Sequence, residues 1–401
     1  MATPVSSAAG GRRDARWRAA AELLSVMRRE PGVTRAAAAQ RLRLSSGSAT
    51  EITTRLRELA LLDEAPAPIT GRGRPTSALV AHPEGPMVLA IDLRHEDWRW
   101  AVADLAGIRD VAPPHRHEDV DPSRVLAGIA DAVTDVHRRY GRRLRAVSVA
   151  VSGTVQHGRL VQAATLGWGP IDLTGLAPAP RVPVLIGNDA TLAGVAEARS
   201  GAATAAAAAL HLTVETGVGG TLVVGGLPQT GATGAGGEYG HLPLGDPALV
   251  CPCGARGCWD LEVDGRALAR HLGIPAPADA KSYARRVLAR AADGGIDETA
   301  AARHVATALG RGTAGLVNAL DPDVVTFGGL AIPIRDTATA EFETAYRAGL
   351  MGFRKAHPTP VHAAVHGDDG ALHGAVEVGL DLVVSEEGLA SWASDRRQAL
   401  P

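Results

Sequence analysis

Cysteine is almost missing from this chain of 401 residues, and its three copies, Cys251, Cys253 and Cys258, fall in one short stretch. An odd, clustered set of three cannot form the disulfide framework of a secreted scaffold. Aromatic residues are only 3% of the chain, so Ala, Val and Leu must do most of the packing, as in α/β proteins whose parallel strands are buried on both faces. No run of about 18 apolar residues occurs, which argues against a membrane-spanning helix, and the opening MATPVSSAAGGRRDAR lacks the apolar centre of a signal peptide. The expected location is cytoplasmic, with no membrane partner. Lysine is absent from residues 1–80, where 13 Arg face 7 Asp plus Glu, giving 13 − 7 = +6; the total is −2, so the rest carries about −8. A basic head on an acidic body suits a nucleic-acid contact by one part and a small-molecule or assembly role for the other. The length and the 46% hydrophobic content suffice for two or three domains.

The stretch Glu238 to Asp260, EYGHLPLGDPALVCPCGARGCWD, contains all three cysteines after His241, in a His-x9-Cys-x-Cys-x4-Cys array. Three thiolates and one imidazole match the four ligand positions of a tetrahedral structural Zn2+ site, and the nearby glycines allow a loop to wrap tightly. The plain alternative is three incidental thiols.

Residues 12–82 read as a DNA-binding head. Ala20, Leu23, Leu24 and Met27 recur at helical spacing before Pro31-Gly32 stops the helix. Thr34 can cap a short helix from Arg35 to Leu42. Ser45 can cap a third, with Ile52, Leu56 and Leu59 inward. This is a helix-turn-helix, and Arg35, Ser46, Ser48, Thr50, Thr53, Thr54 and Arg55 are the expected DNA contacts. A two-stranded wing follows, tipped by GRGRP; Arg72 and Arg74 there can lie in the narrow, electronegative minor groove of A·T-rich DNA.

The body alternates strands and helices. Val88–Asp92 and Trp98–Asp104 read as a hairpin, followed by helix 123–140, strand 144–152, strand 182–187 and helix 190–199. A second set has strand 208–214, a GVGG loop, strand 221–224, helices within 280–320 and strand 323–327. The expectation is two α/β lobes, 86–200 and 201–384, with a cleft between them, and a polar, small-residue tail over 385–401 that opens in a terminal helix and then turns disordered.

SGTV at Ser152, LGW at Leu166, NDA at Asn188, TGVGG at Thr216, GAGGEYGH at Gly234, CPCGARGC at Cys251 and FGGLA at Phe327, with the winged helix-turn-helix, resemble the ROK family of repressors, open reading frames and sugar kinases. The resemblance implies an actin-like ATPase body of two lobes gripping a sugar. It implies that Asn188, Asp189, Glu238, His241 and Asp260 face the sugar, Asp189 being the general base in the kinases, and that His241 joins Cys251, Cys253 and Cys258 on the metal. Where the kinases have Asp-x-Gly-Gly-Thr to approach ATP phosphates, this chain has Asp92-Leu93-Arg94-His95-Glu96, bulky and with an extra acid. Asp260 stands where the family has a glutamate.

The expected function is therefore a sugar-responsive transcriptional regulator, a repressor, that binds an A·T-rich pseudo-palindrome as a homodimer or homotetramer and does not phosphorylate its sugar. Asp189 then survives as a vestigial base. The rival is an ATP-dependent hexose or N-acyl-hexosamine kinase with a DNA-binding head. A third possibility, a DNA-contacting zinc finger at the cysteines, is opposed by the acidic surroundings, Asp246 and Asp260 among them.

Overall fold

The computed structural model describes residues 8–66, 77–117, 121–163 and 166–398, with side chains from residue 17 onward. The head begins with α1 (Ala8–Arg29), α2 (Arg35–Arg41) and α3 (Ser46–Glu58). Thr34 and Ser45 cap α2 and α3 as expected: the Thr34 hydroxyl accepts from Ala37 N–H and that of Ser45 from Ser48 N–H. β1 (Leu62–Pro66) and β2 (Ser77–Ala81) pair antiparallel as the base of the wing. Arg72 and Arg74, expected at its tip, lie outside the described residues.

The first lobe contains β3 (Met87–Leu93), β4 (Asp97–Asp104), β5 (Gly107–Val111), β6 (His115–Arg116), α4 (Pro122–Tyr140), β7 (Leu144–Val151), the small hairpin β8 (Thr154–Gln156) with β9 (Arg159–Gln162), β10 (Val184–Asn188) and α5 (Asp189–Ser200). Its sheet runs β10-β7-β3-β4-β5, with β6 on β4, and β10, β7 and β3 are parallel. Every residue of β3 is buried, Asp92 included, as suits a mostly apolar central strand covered on both faces.

The second lobe is built from β11 (Ala208–Glu215), β12 (Gly217–Val224), β13 (Leu227–Pro228), α6 (Asp260–Val263), α7 (Gly265–His271), α8 (Ala280–Ala292), α9 (Ile296–Leu320), β14 (Val324–Gly329), α10 (Ala331–Thr337), α11 (Thr339–Gly349) and β15 (Val361–Ala363). The sheet order is β13-β12-β11-β14-β15. The expected GVGG loop is instead the first half of β12, paired with β11 from Glu215↔Gly217 onward. Its glycines fit the pleat because β12 packs against α5: a Cβ on Gly219 would stand 2.6 Å from that of Ala190.

Two last helices change the expected domain boundaries. α12 (Gly370–Val384), expected in the second lobe, returns to the first, where Leu372, Ala375, Val376 and Leu380 share a core with Val88, Ala90, Ala146 and Ala150. The residues after 384, expected as a polar tail opening in a terminal helix, form that helix, α13 (Glu386–Gln398), and its Leu389, Trp392 and Ala393 are buried in the core instead of standing free. The small residues of α12 explain its docking: a Cβ on Gly374 would meet Leu192 O at 1.9 Å, and one on Gly379 would touch Val88. The same core includes Leu23, Leu24, Leu56 and Leu61 of the head, whereas the second lobe packs around its own cluster with Phe327 and Phe342 at its centre. No helix among the described residues is long and apolar enough to cross a membrane.

Candidate functional site

A cavity of about 360 Å3 opens between the lobes. β10 ends at Asn188 and α5 starts at Asp189, so both side chains are delivered to its floor from the carboxyl edge of a parallel sheet. Asn188 is also the N-cap of α5: its Oδ1 accepts from Thr191 N–H at 2.9 Å and its Nδ2 donates to Gly153 O at 3.0 Å, leaving one amide hydrogen for a ligand. Asp189 accepts from the Ser152 hydroxyl and from its neighbour Ala190 N–H. Burial pushes its carboxyl up, and the nearby Asp92 adds to this against those hydrogen bonds.

Glu238 and His241 enter from the loop after β13. Thr154 donates to Glu238 at 3.0 Å. His241 turns its two ring nitrogens to different jobs: Nδ1 lies 3.8 Å from Cys251 Sγ, while Nε2 lies 3.8 Å from a Glu238 oxygen on the cavity side. One ligand-type atom from each of His241, Cys251, Cys253 and Cys258 lies within 4.8 Å of the others, so the cluster could hold a metal ion. Thiols this close strongly resist ionising together: burial, with the other two thiols alongside, pushes Cys258 up to about 12. A tetrahedral cation is the chemical remedy for such a set, and three thiolates with one imidazole fit Zn2+.

Asp260 lines the cavity yet is largely occupied. Its Oδ1 accepts from Val218 N–H at 2.6 Å and its Oδ2 lies 3.6 Å from His241 Nδ1. The carboxylate is seated between two glycines: a Cβ on Gly240 would stand 1.9 Å from Oδ1, and one on Gly217 3.0 Å from Oδ2. Gly217 also has φ +111°, open to glycine alone without strain. Glu262, two residues on, points elsewhere, accepting from Asp246 N–H and Arg270.

The turn after β3 is closed by charge. Asp92, 1% exposed, accepts from Arg94 at 2.7 Å and from Arg99 at 3.2 Å. Both guanidiniums also donate to Asp368 O, at 2.6 and 2.9 Å, and Arg99 pairs with Asp369 at 2.5 Å. From the second lobe, Arg285 reaches the Asp368 carboxylate at 2.8 Å, and Lys281 pairs with Glu215. Burial pushes Glu215 up against the pull of Lys281. Sequence reasoning noticed Arg94 only as bulk; its tie to Asp368, 274 residues away, has no local signature. Lys281 and Glu215 also escaped notice as charged members of the cavity wall, Arg99 as a second partner of Asp92, and Ser152 was read only as part of a motif.

In the head, Ser46, Ser48, Thr50 and Thr54 are exposed on α3 as expected. Two expected contacts point elsewhere. Thr53 is 1% exposed and its hydroxyl donates to Ala49 O, because it falls on the same face as Leu56. The Arg55 guanidinium stacks 4.2 Å over the Trp17 ring, bracing α3 on α1. Arg35 pairs with Glu64 of the wing at 3.2 Å.

Comparison with known proteins follows this architecture. A glucokinase of Streptomyces coelicolor is 28% identical over 64% of this chain and 86% of its own length, and a kanosamine kinase of Amycolatopsis mediterranei is 33% identical over 63% and 82%. Among solved structures, a ROK hexokinase from Thermus thermophilus, 28% identical, superposes with TM-score 0.59 over 73% of this chain and 97% of its own. A ROK family transcriptional regulator, described as a homologue of the E. coli MLC protein, is only 19% identical but superposes with TM-score 0.76 over 94% of this chain and 99% of its own. The body thus has the actin-like ATPase fold of sugar kinases, and the fold shared with the regulator extends beyond it. The ROK family pattern covers residues 88–381, and this chain belongs to that family.

Proposed function

We propose that this chain is a sugar-responsive DNA-binding regulator, a repressor, whose two-lobed body holds an unphosphorylated sugar and leaves it unphosphorylated. The observation that carries this reading is the turn after β3. A kinase needs open backbone amides there for phosphate, whereas here Arg94 fills the space between Asp92 and Asp368, and Val218 N–H of the glycine strand is taken by Asp260. The remaining polar groups suit a polyol: carboxylates at Asp189 and Glu238 accept hydroxyl hydrogens, and Asn188 and His241 Nε2 donate. Zn2+, held by His241, Cys251, Cys253 and Cys258, would supply structural bracing for the His241 ring. Residues 12–82 would read an A·T-rich pseudo-palindrome through Ser46, Ser48, Thr50 and Thr54, with Arg72 and Arg74 in the minor groove, as a homodimer or homotetramer.

A kinase remains the rival because Asp189 is placed and shifted as a general base would be, and sequence relatives are sugar kinases. An ADP-release assay over glucose, kanosamine and N-acetylmannosamine separates the two. The regulator reading expects no turnover above background. Rates of about 1 to 1,000 per second would establish the kinase. In gel shift the full chain should retain a duplex selected from a randomised library; failure to select any sequence would exclude the regulator.

A further inference from the structure

We infer that α12 and α13 form a continuous lever carrying cleft occupancy to the recognition helix α3, with Arg28 and Trp392 as its positioning residues. The inference rests on the sugar-binding reading above and adds its route of regulation.

The cleft end of the lever is the segment entering α12. Gly367, Asp368 and Ala371 line the cavity. Asp368 is the meeting point of the lobes: its carbonyl takes Arg94 and Arg99 from the first, its carboxylate takes Arg285 from the second. Just before it, Val365 N–H and His366 N–H donate to the buried Glu197 of α5 at 3.1 and 2.9 Å. A change in lobe angle on ligand closure cannot leave Asp368 where it is, since its partners belong to both lobes.

α12 is about 22 Å long at 1.5 Å per residue. Its docking through Gly374 and Gly379 leaves no room for bending, so displacement at one end is carried to the other. The far half meets the head. Arg28 of α1, whose side chain is 10% exposed, binds Glu377 at 2.6 Å and Asp381 at 3.2 Å. Ser385 then turns the chain into α13, where Glu386 pairs with Arg18 of α1. The Trp392 indole N–H donates at 2.7 Å to Leu59 O, the residue that ends α3. Beside it, Arg145 of the body lies over the Trp392 ring, 5.6 Å from its centroid, and binds Asp395 at 2.6 Å and Ser391 at 2.7 Å. The lever therefore touches the cleft, α1 at Arg18 and Arg28, and the carbonyl of Leu59, the residue that caps α3.

A ligand moves such a two-state element only by its differential affinity for the two arrangements. The test uses Arg28→Gln and Trp392→Phe in the full chain, the second keeping an aromatic ring in the core while removing the indole N–H that Leu59 O accepts. Sugar binding is read by thermal shift with glucose, kanosamine and N-acetylmannosamine, and DNA affinity by anisotropy on the library-selected duplex. Both variants are expected to bind the duplex within about threefold of wild type without sugar and to keep the thermal shift. The loss of DNA affinity caused by the sugar, about tenfold or more in wild type on the usual scale of coupling, should shrink below about twofold. Retention of the full wild-type loss overturns the lever. Should either variant fail to fold, hydrogen exchange on wild type decides: the sugar should change exchange across residues 367–398, and an unchanged 386–398 with sugar bound overturns it. If none of the three sugars shifts the melting temperature, the sugar reading itself fails and the lever with it.

Discussion

Asp260 shows how a one-methylene difference is absorbed. Its shorter side chain is drawn toward Val218 N–H and fits only because Gly217 and Gly240 have no side chains. Gly240→Ala would place a Cβ 1.9 Å from Asp260 Oδ1 and 2.5 Å from Val218 O, both difficult to move. The expected cost is about 1 to 3 kcal/mol, as for other overpacking changes. Thermal denaturation checks it, and an unchanged melting temperature would show that the carboxylate is seated elsewhere. At the thiol cluster, chelation or Cys258→Ser should lower the melting temperature and weaken sugar binding about tenfold, because His241 shares one nitrogen with each site. Elemental analysis of purified protein should find about one zinc per chain; a protein free of metal with undiminished stability would remove the metal from the account.

Among the elements, α13 is attached in part through charge. Arg145 and burial act in opposite senses on Asp395, and the hydrogen bond to Arg145, the larger effect, holds its carboxyl below the ordinary range, with Arg181 adding to it. For an acid depressed in the folded state, the stabilisation is complete above the unfolded value and is lost as pH falls through the folded one. Acidification below the ordinary aspartate range should therefore loosen α13, read as a change in tryptophan emission as Trp392 leaves Leu59. Asp395→Asn should weaken the attachment at neutral pH and flatten that acid-side dependence. An Asp395→Asn protein with the wild-type acid profile would assign the change to other carboxylates. α3 is also braced by charge, since Arg55 lies over Trp17, and Arg55→Ala should cost stability whatever its effect on DNA binding.

Across the whole molecule, periodic and capped segments were the legible ones. Thr34 and Ser45 announced α2 and α3, and the apolar run from Val88 announced a strand, since each signal acts within a few residues. The thiol and imidazole spacing likewise grouped four side chains that could ligate a metal, and the fold brings them together. What stayed hidden depended on distant partners. The GVGG segment resembles a loop until β11 pairs with it, and the last 30 residues resemble a lobe end and a polar tail until α12 and α13 close the core that joins head to body. Thr53 is polar by composition and inward by helical phase. Arg94 is bulky in sequence, while in the fold it is the link between Asp92 and Asp368.

Central to this account is a cleft whose occupancy by an unmodified sugar changes DNA affinity without nucleotide. Anisotropy of a labelled, library-selected duplex with the full chain, titrated with sugar in the absence and then the presence of ATP, tests it most directly. The prediction is a fall in DNA affinity of about tenfold or more that is identical under the two conditions. An affinity that no sugar alters, or that falls only once ATP is supplied, would contradict it.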